Sequence, residues 1–186
     1  MNRILVIGCP GSGKSVLSYK VASVTGLPLI HLDSLYHDDR WPDDAKLKTE
    51  QWKMLVQSLV EGKQWIIDGN YKGTYDLRMR AADTIIFLDY PRWLTLHRML
   101  KRRIEYHKKQ RPDMPATWRE KISWDFLLFI WSYRSRERPR VLSLLTQYSS
   151  GRTIVIARSP LEVERWLSGI PPSGLRAVLS LRTFPE

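Results

Sequence analysis

Eight consecutive residues, Gly8-Cys9-Pro10-Gly11-Ser12-Gly13-Lys14-Ser15, carry the spacing G-x-x-x-x-G-K-[ST]. Glycines so placed let the backbone curl until successive N–H groups face inward and cradle the oxygens of a phosphate. A lysine on such a loop reaches the β- and γ-phosphates of a triphosphate, and the hydroxyl after it ligates Mg²⁺. The chemistry this spacing points to is ATP binding. Gly8, Pro10, Gly11, Ser12, Gly13, Lys14, Ser15 and Val16 are the candidate nucleotide contacts, and Lys14 is the cation placed for the moving phosphoryl group. The flanks fit. The apolar run Arg3 to Ile7 reads as a buried strand, and Val16 to Thr25 reads as a helix stopped by Gly26. Such a helix points its positive end at the same anion.

Two carboxylates follow apolar runs. Asp68 closes Trp65-Ile66-Ile67, where a Mg²⁺-organising carboxylate belongs beside a loop of this kind, so Ser15 and Asp68 are the candidate metal ligands. Asp33 closes Pro28 to Leu32, and a carboxylate there can accept a proton from a substrate hydroxyl or hold a metal-bound water. Aspartates at strand ends also serve as turn residues and N-caps, and Asp89, before Tyr90-Pro91, is read that way. Phosphoryl transfer further needs positive charge around the moving group. Candidates are Arg78, Arg98, Arg102, Arg103, Arg111, Arg134, Arg136 and Arg138. Arg98 and Arg102, four apart, share a helix face, as do Arg134 and Arg138. The four histidines and Cys9 show no zinc-ligand spacing.

The net charge of +11 is local. Residues 1–91 carry 11 basic and 11 acidic side chains, whereas residues 92–140 carry 14 basic and 5 acidic. Three readings of that segment stay open: a lid of arginines closing on polyphosphate, a weak non-specific nucleic-acid surface, and a solvated helix face. Charges interrupt every apolar stretch, so no membrane span is expected. The first residues already read as core strand, leaving no room for a leader, and the single cysteine excludes an internal disulfide framework. A cytoplasmic setting is expected.

Strands alternate with helices along the chain. After the loop and its helix come a strand at 28–32, a helix at 47–61, strands at 65–67 and 84–88, and a long basic helix from Trp93 to Lys109. A Pro-flanked break at Arg111 to Pro115 separates it from an aromatic-rich helix, Trp118 to Glu137, and a further helix from Arg138 to Tyr148. A fifth strand, Thr153 to Ala157, leads to a last helix with Ser159 as N-cap, Pro160 at N1 and Glu162 as capping-box partner. Near-continuous apolar strands alternating with helices specify a three-layer α/β fold around a parallel sheet, with the site beyond the carboxyl ends of the strands. Residues 1–168 read as one domain with a basic helical lid at about 98–138, and 169–186 as a peripheral tail.

The phosphate loop, Asp33, Asp68 and the arginine-rich segment together resemble the adenylate-kinase-like branch of the phosphate-loop proteins. Several stretches are similar to the DNA topology modulation proteins: His31-Leu32-Asp33, Ile67 to Tyr71, Ala82 to Asp89, Pro91-Arg92, Lys101-Arg102-Arg103, Arg111 to Met114 and Arg138-Pro139-Arg140. The similarity spans residues 1 to about 167. It implies the phosphate-loop NTPase core with strand order 2-3-1-4-5, a lid, ATP and Mg²⁺. It also implies a kinase acting on a small acceptor such as a nucleoside or nucleotide, with Arg102 and Arg138 as clamping lid arginines. Asp33-Ser34-Leu35-Tyr36 resembles the strand-end motif of uridine-type nucleoside kinases, whose acidic residue faces a hydroxyl. The family name adds an alternative, an ATP-gated regulator acting on DNA, and an ATPase without a small-molecule acceptor is a third reading.

Overall fold

The computed structural model describes residues 1–37, 41–42, 44–105 and 123–170. Five parallel strands, β1 (Arg3–Gly8), β2 (Leu29–His31), β3 (Trp65–Asp68), β4 (Thr84–Leu88) and β5 (Thr153–Ala157), form one sheet in the order β2-β3-β1-β4-β5. This is the expected phosphate-loop topology, with β1 at the centre. Alternation along the strands sends the two faces to two helical layers. Leu5, Ile7, Ile67, Ile85 and Phe87 meet α3 (Ala45–Val60), α4 (Tyr75–Ala81), α6 (Trp124–Arg136) and α7 (Arg138–Gln147). Ile4, Val6, Ile66, Ile86 and Leu88 meet α1 (Lys14–Thr25) and α8 (Pro160–Ser168). Both faces are therefore buried, which is why the strand sequences are apolar throughout instead of alternating with polar residues.

Helix ends follow local chemistry. α1 stops at Gly26, which takes φ 70 and donates to the Ala22 carbonyl. Asp44 caps α3 by accepting from Leu47 N–H, and Ser159 caps α8 by accepting from Glu162 N–H while Glu162 reaches back to Arg158 N–H. α5 (Arg92–Glu105) lies against the phosphate loop, with Thr95 and Met99 completely buried.

Three expectations change. β2 ends at His31, and Asp33 lies in the first turn of a short helix, α2 (Leu32–Tyr36). The cause is Leu32, fully buried beneath Gly69, where a Cβ would come within 2.9 Å of the Leu32 Cβ. Anchoring Leu32 there turns the chain off the sheet and leaves Asp33 facing the cleft. Secondly, a 3₁₀ turn (Lys72–Thr74) and α4 fill the span between β3 and β4, where no helix was expected. Thirdly, α6 begins at Trp124, with Ser123 as its cap. The Pro-flanked break, Arg111, the C-terminal end of the expected basic helix and most of the tail lie outside the described residues. No described helix is long and apolar enough to cross a membrane.

Candidate active site

The loop between β1 and α1 curls at the carboxyl edge of the sheet, with Ser12 N–H closing a turn onto the Cys9 carbonyl at 3.0 Å. Gly11 takes φ +80, and a Cβ on it would stand 2.3 Å from the Thr95 carbonyl oxygen of α5. Only glycine admits that approach. Lys14 is partly buried, and its ammonium donates to the Gly8 and Cys9 carbonyls at 3.1 and 3.4 Å. Burial lowers its pKa, while the Asp33 and Asp68 carboxylates raise it and Arg102 opposes them. The four predicted residues thus share one electrostatic neighbourhood.

The cleft over the loop has a volume of about 1170 Å³. Pro10 to Val16 line it, together with Asp33, Asp68, and Arg98 and Arg102 of α5. Arg98 donates to the Ser12 carbonyl at 3.2 Å and stacks over the Tyr90 ring at 5.4 Å. Gly8 lies at the base of the loop, where its N–H donates to Asn70 Oδ1 at 3.2 Å.

Asp68 is nearly sealed from solvent. Its Oδ1 pairs with His31 Nδ1 at 2.9 Å, whereas its buried Oδ2 takes no hydrogen bond among the described residues. A bare buried carboxylate oxygen, on a residue that lines the same cleft as Ser15, suits a divalent cation. No group of three or more histidine, cysteine or carboxylate side chains among the described residues is arranged to hold a metal. A cation here would therefore take most of its ligands from phosphate and water, the habit of Mg²⁺.

Two predicted arginines take other places. Arg138 lies at the start of α7 and makes a two-pronged pair with Asp89, Nε to Oδ1 at 2.8 Å and Nη2 to Oδ2 at 2.8 Å. It does not line the cleft. Asp89 is accordingly an anchor for α7 at the end of β4, and not a turn cap alone. Arg78 is completely buried, its guanidinium filled by backbone carbonyls, and burial lowers it to about 10. Arg134 and Arg136 stand exposed on α6. Cys9 is buried, and burial pushes its thiol up to about 11, away from thiolate reactivity.

Two contributors escaped the sequence reading, His31 and Tyr71, while Asn70 was placed near the phosphate loop by the strand-end rule without a role. His31 pairs in register with Asp68 on neighbouring strands, so two polar strand ends at one level were a usable signal. Tyr71 gave none, and the role of Asn70 could not be read, because both depend on how the segment after β3 is folded.

No protein-family model matches the chain, and no curated relative matches its sequence. Solved structures do match its fold. Shikimate kinase from Acinetobacter baumannii, in complex with shikimate, superposes with a TM-score of 0.57 at 11% identity, covering 90% of this chain and 89% of that one. Shikimate kinase from Bacteroides thetaiotaomicron gives 0.54 at 18% identity, covering 90% and 94%. A gluconokinase from Sinorhizobium meliloti 1021 gives 0.50 at 16% identity, covering 90% and 91%. The fold is that of the phosphate-loop kinases.

Proposed function

We propose that the protein is an ATP-dependent kinase that uses Mg²⁺ and transfers the γ-phosphoryl group to a hydroxyl of a small acceptor, a nucleoside or nucleotide among the candidates. The observation that carries this reading is the convergence of Lys14, Asp33, Asp68 and Arg102 on one cleft above an intact phosphate loop. The structural neighbours, small-molecule kinases by name, support it.

The loop amides and Lys14 bind the donor phosphates. Lys14 exchanges its present carbonyl partners for phosphate oxygens, which recovers the charge that burial penalises. Ser15 and Asp68 hold Mg²⁺, which supplies charge neutralisation on the phosphates. Asp33 accepts the acceptor's hydroxyl proton as that oxygen bonds to the γ-phosphorus and the bond to the ADP oxygen breaks. Arg98 and Arg102 neutralise charge on the transferring group. Arg138 supports the site through Asp89 and α7.

The similarity to the DNA topology modulation proteins carries a second reading, an ATP-switched regulator on DNA in the cytoplasm. What favours it is the basic balance of residues 92–140. What favours the kinase is that two of those arginines turn into the cleft. A ³¹P NMR screen of ATP, Mg²⁺ and a panel of nucleosides, nucleotides and sugars tests the choice. A phosphorylated acceptor is expected. Free phosphate alone, together with submicromolar duplex binding that falls steeply with salt, would move the protein to the second class.

A further inference from the structure

The segment Gly69 to Tyr71 is gripped from beneath by Arg78. This side chain is wholly buried, and no carboxylate bonds it among the described residues. Its guanidinium donates instead to three consecutive carbonyls, Gly69 at 2.7 Å, Asn70 at 2.5 Å and Tyr71 at 2.9 Å, and its Nε to Thr74 Oγ1 at 3.1 Å. A buried guanidinium is costly unless its donors are filled, so the chain must turn its carbonyls toward one point. The turn is severe: Tyr71 sits at φ 25, the one non-glycine residue with positive φ among those described. Strain of that kind persists only where surrounding contacts impose it.

With the carbonyls drawn inward, the two side chains reach in different directions. Asn70 Oδ1 accepts from Gly8 N–H at the base of the phosphate loop, at 3.2 Å. Tyr71 lines the cleft together with Asp33, and its ring packs on Tyr36 of α2, the helix that carries Asp33. Its ring is wedged between Tyr36 and Trp52, each at 4.8 Å. Burial and the adjacent carboxylate hold the Tyr71 phenol far above its ordinary range, so it remains a donor.

We infer that Gly69–Tyr71 is a brace joining the two halves of the site, in which Asn70 positions the phosphate loop, Tyr71 positions Asp33, and Arg78 keeps the two in register. Arg78 and Asn70 are positioning residues and leave the reacting atoms to others. The assignment of donor and acceptor halves rests on the kinase reading; the brace rests on its own contacts.

The test uses full-length protein with tyrosine labelled with ¹³C at Cζ, the Tyr71 resonance being assigned from its loss in Tyr71→Phe. Without any ligand, Asn70→Ala, folded by circular dichroism, should displace the Tyr71 resonance, and Asp33→Asn should displace it further. An unmoved resonance in Asn70→Ala overturns the brace whatever nucleotide does. Calorimetry with MgATP should then give an affinity about tenfold weaker in Asn70→Ala than in wild type, and unchanged in Tyr71→Phe. Equal affinities in wild type and Asn70→Ala would also overturn it. If wild type fails to bind MgATP while the ligand-free resonance still responds, the kinase reading falls and the brace stands.

Discussion

Between Gly8 and Ser15 the backbone does the positioning, whereas between Asp68 and Arg78 side chains position the backbone. In the first region, glycine torsions shape the loop and Gly11 presses directly on the Thr95 carbonyl. In the second, one buried arginine collects three carbonyls, and a strained tyrosine is the result. The first arrangement is local in sequence and recurs as a motif. The second depends on which helix lies beneath, so it leaves no pattern to read. Donor binding should accordingly fail through single loop positions, and acceptor chemistry through networks.

The largest effect should come from Gly11→Ala. A Cβ 2.3 Å from a backbone oxygen at φ +80 cannot be absorbed without moving α5. A stability loss of about 3 kcal/mol in urea unfolding is expected, together with loss of ATP binding. A variant with wild-type stability would break the claim that loop and helix share one contact. Lys14→Ala should next lower ATP affinity by about a hundredfold or more while the protein stays folded, because the side chain serves the ligand. Wild-type affinity by calorimetry in that variant would remove the nucleotide assignment.

Asp33 and Asp68 sharpen the contrast by role. Asp33→Asn should leave ATP affinity within about twofold while transfer falls by roughly a hundredfold or more. Asp68→Asn should weaken nucleotide binding only when Mg²⁺ is present. Full turnover in Asp33→Asn would reduce Asp33 to a helix-turn residue.

The arginines separate next. Arg102→Ala should reduce turnover about tenfold with an unchanged melting curve. Arg138→Ala leaves the buried Asp89 carboxylate without its partner, at a cost of about 2 kcal/mol, with ATP affinity preserved. A variant of Arg138 that lost turnover without losing stability would restore it to the cleft. The smallest effect concerns protons. Lys14 is lowered by burial in the free protein, and bound phosphate favours its charged form. Nucleotide binding should therefore take up protons, increasingly so as pH rises toward the lowered pKa. Calorimetry in buffers of different ionisation enthalpy measures this, and Lys14→Arg should abolish it.

The five strands, the phosphate loop and the capping of α8 were legible because each rests on neighbours in sequence: apolar runs, glycine spacing, and a serine three residues before a glutamate; the order of the strands in the sheet came only from the family resemblance. Asp33 was found with its position slightly misread, since the bend at Leu32 depends on a contact with Gly69. α4 was missed because seven residues with a charged last turn and no side-chain cap carry too little periodicity. Arg78 was read as a candidate cation for the phosphoryl group, and Asp89 as a turn residue, because the partners that define them are assembled only in the folded chain. Arg138 is 49 residues from the aspartate it binds.

The burial of Cys9 gives the molecule a built-in clock. Its sulfur lies behind the loop, within 4.0 Å of the Ile130 carbonyl of α6, and the chain holds one cysteine. A thiol reagent can reach it only when loop and helix part. The rate of labelling in native buffer therefore counts those excursions, with no probe engineered in and no second sulfur to confuse the count. Saturating nucleotide, by holding the loop closed, should slow the clock in proportion to the closed state it favours.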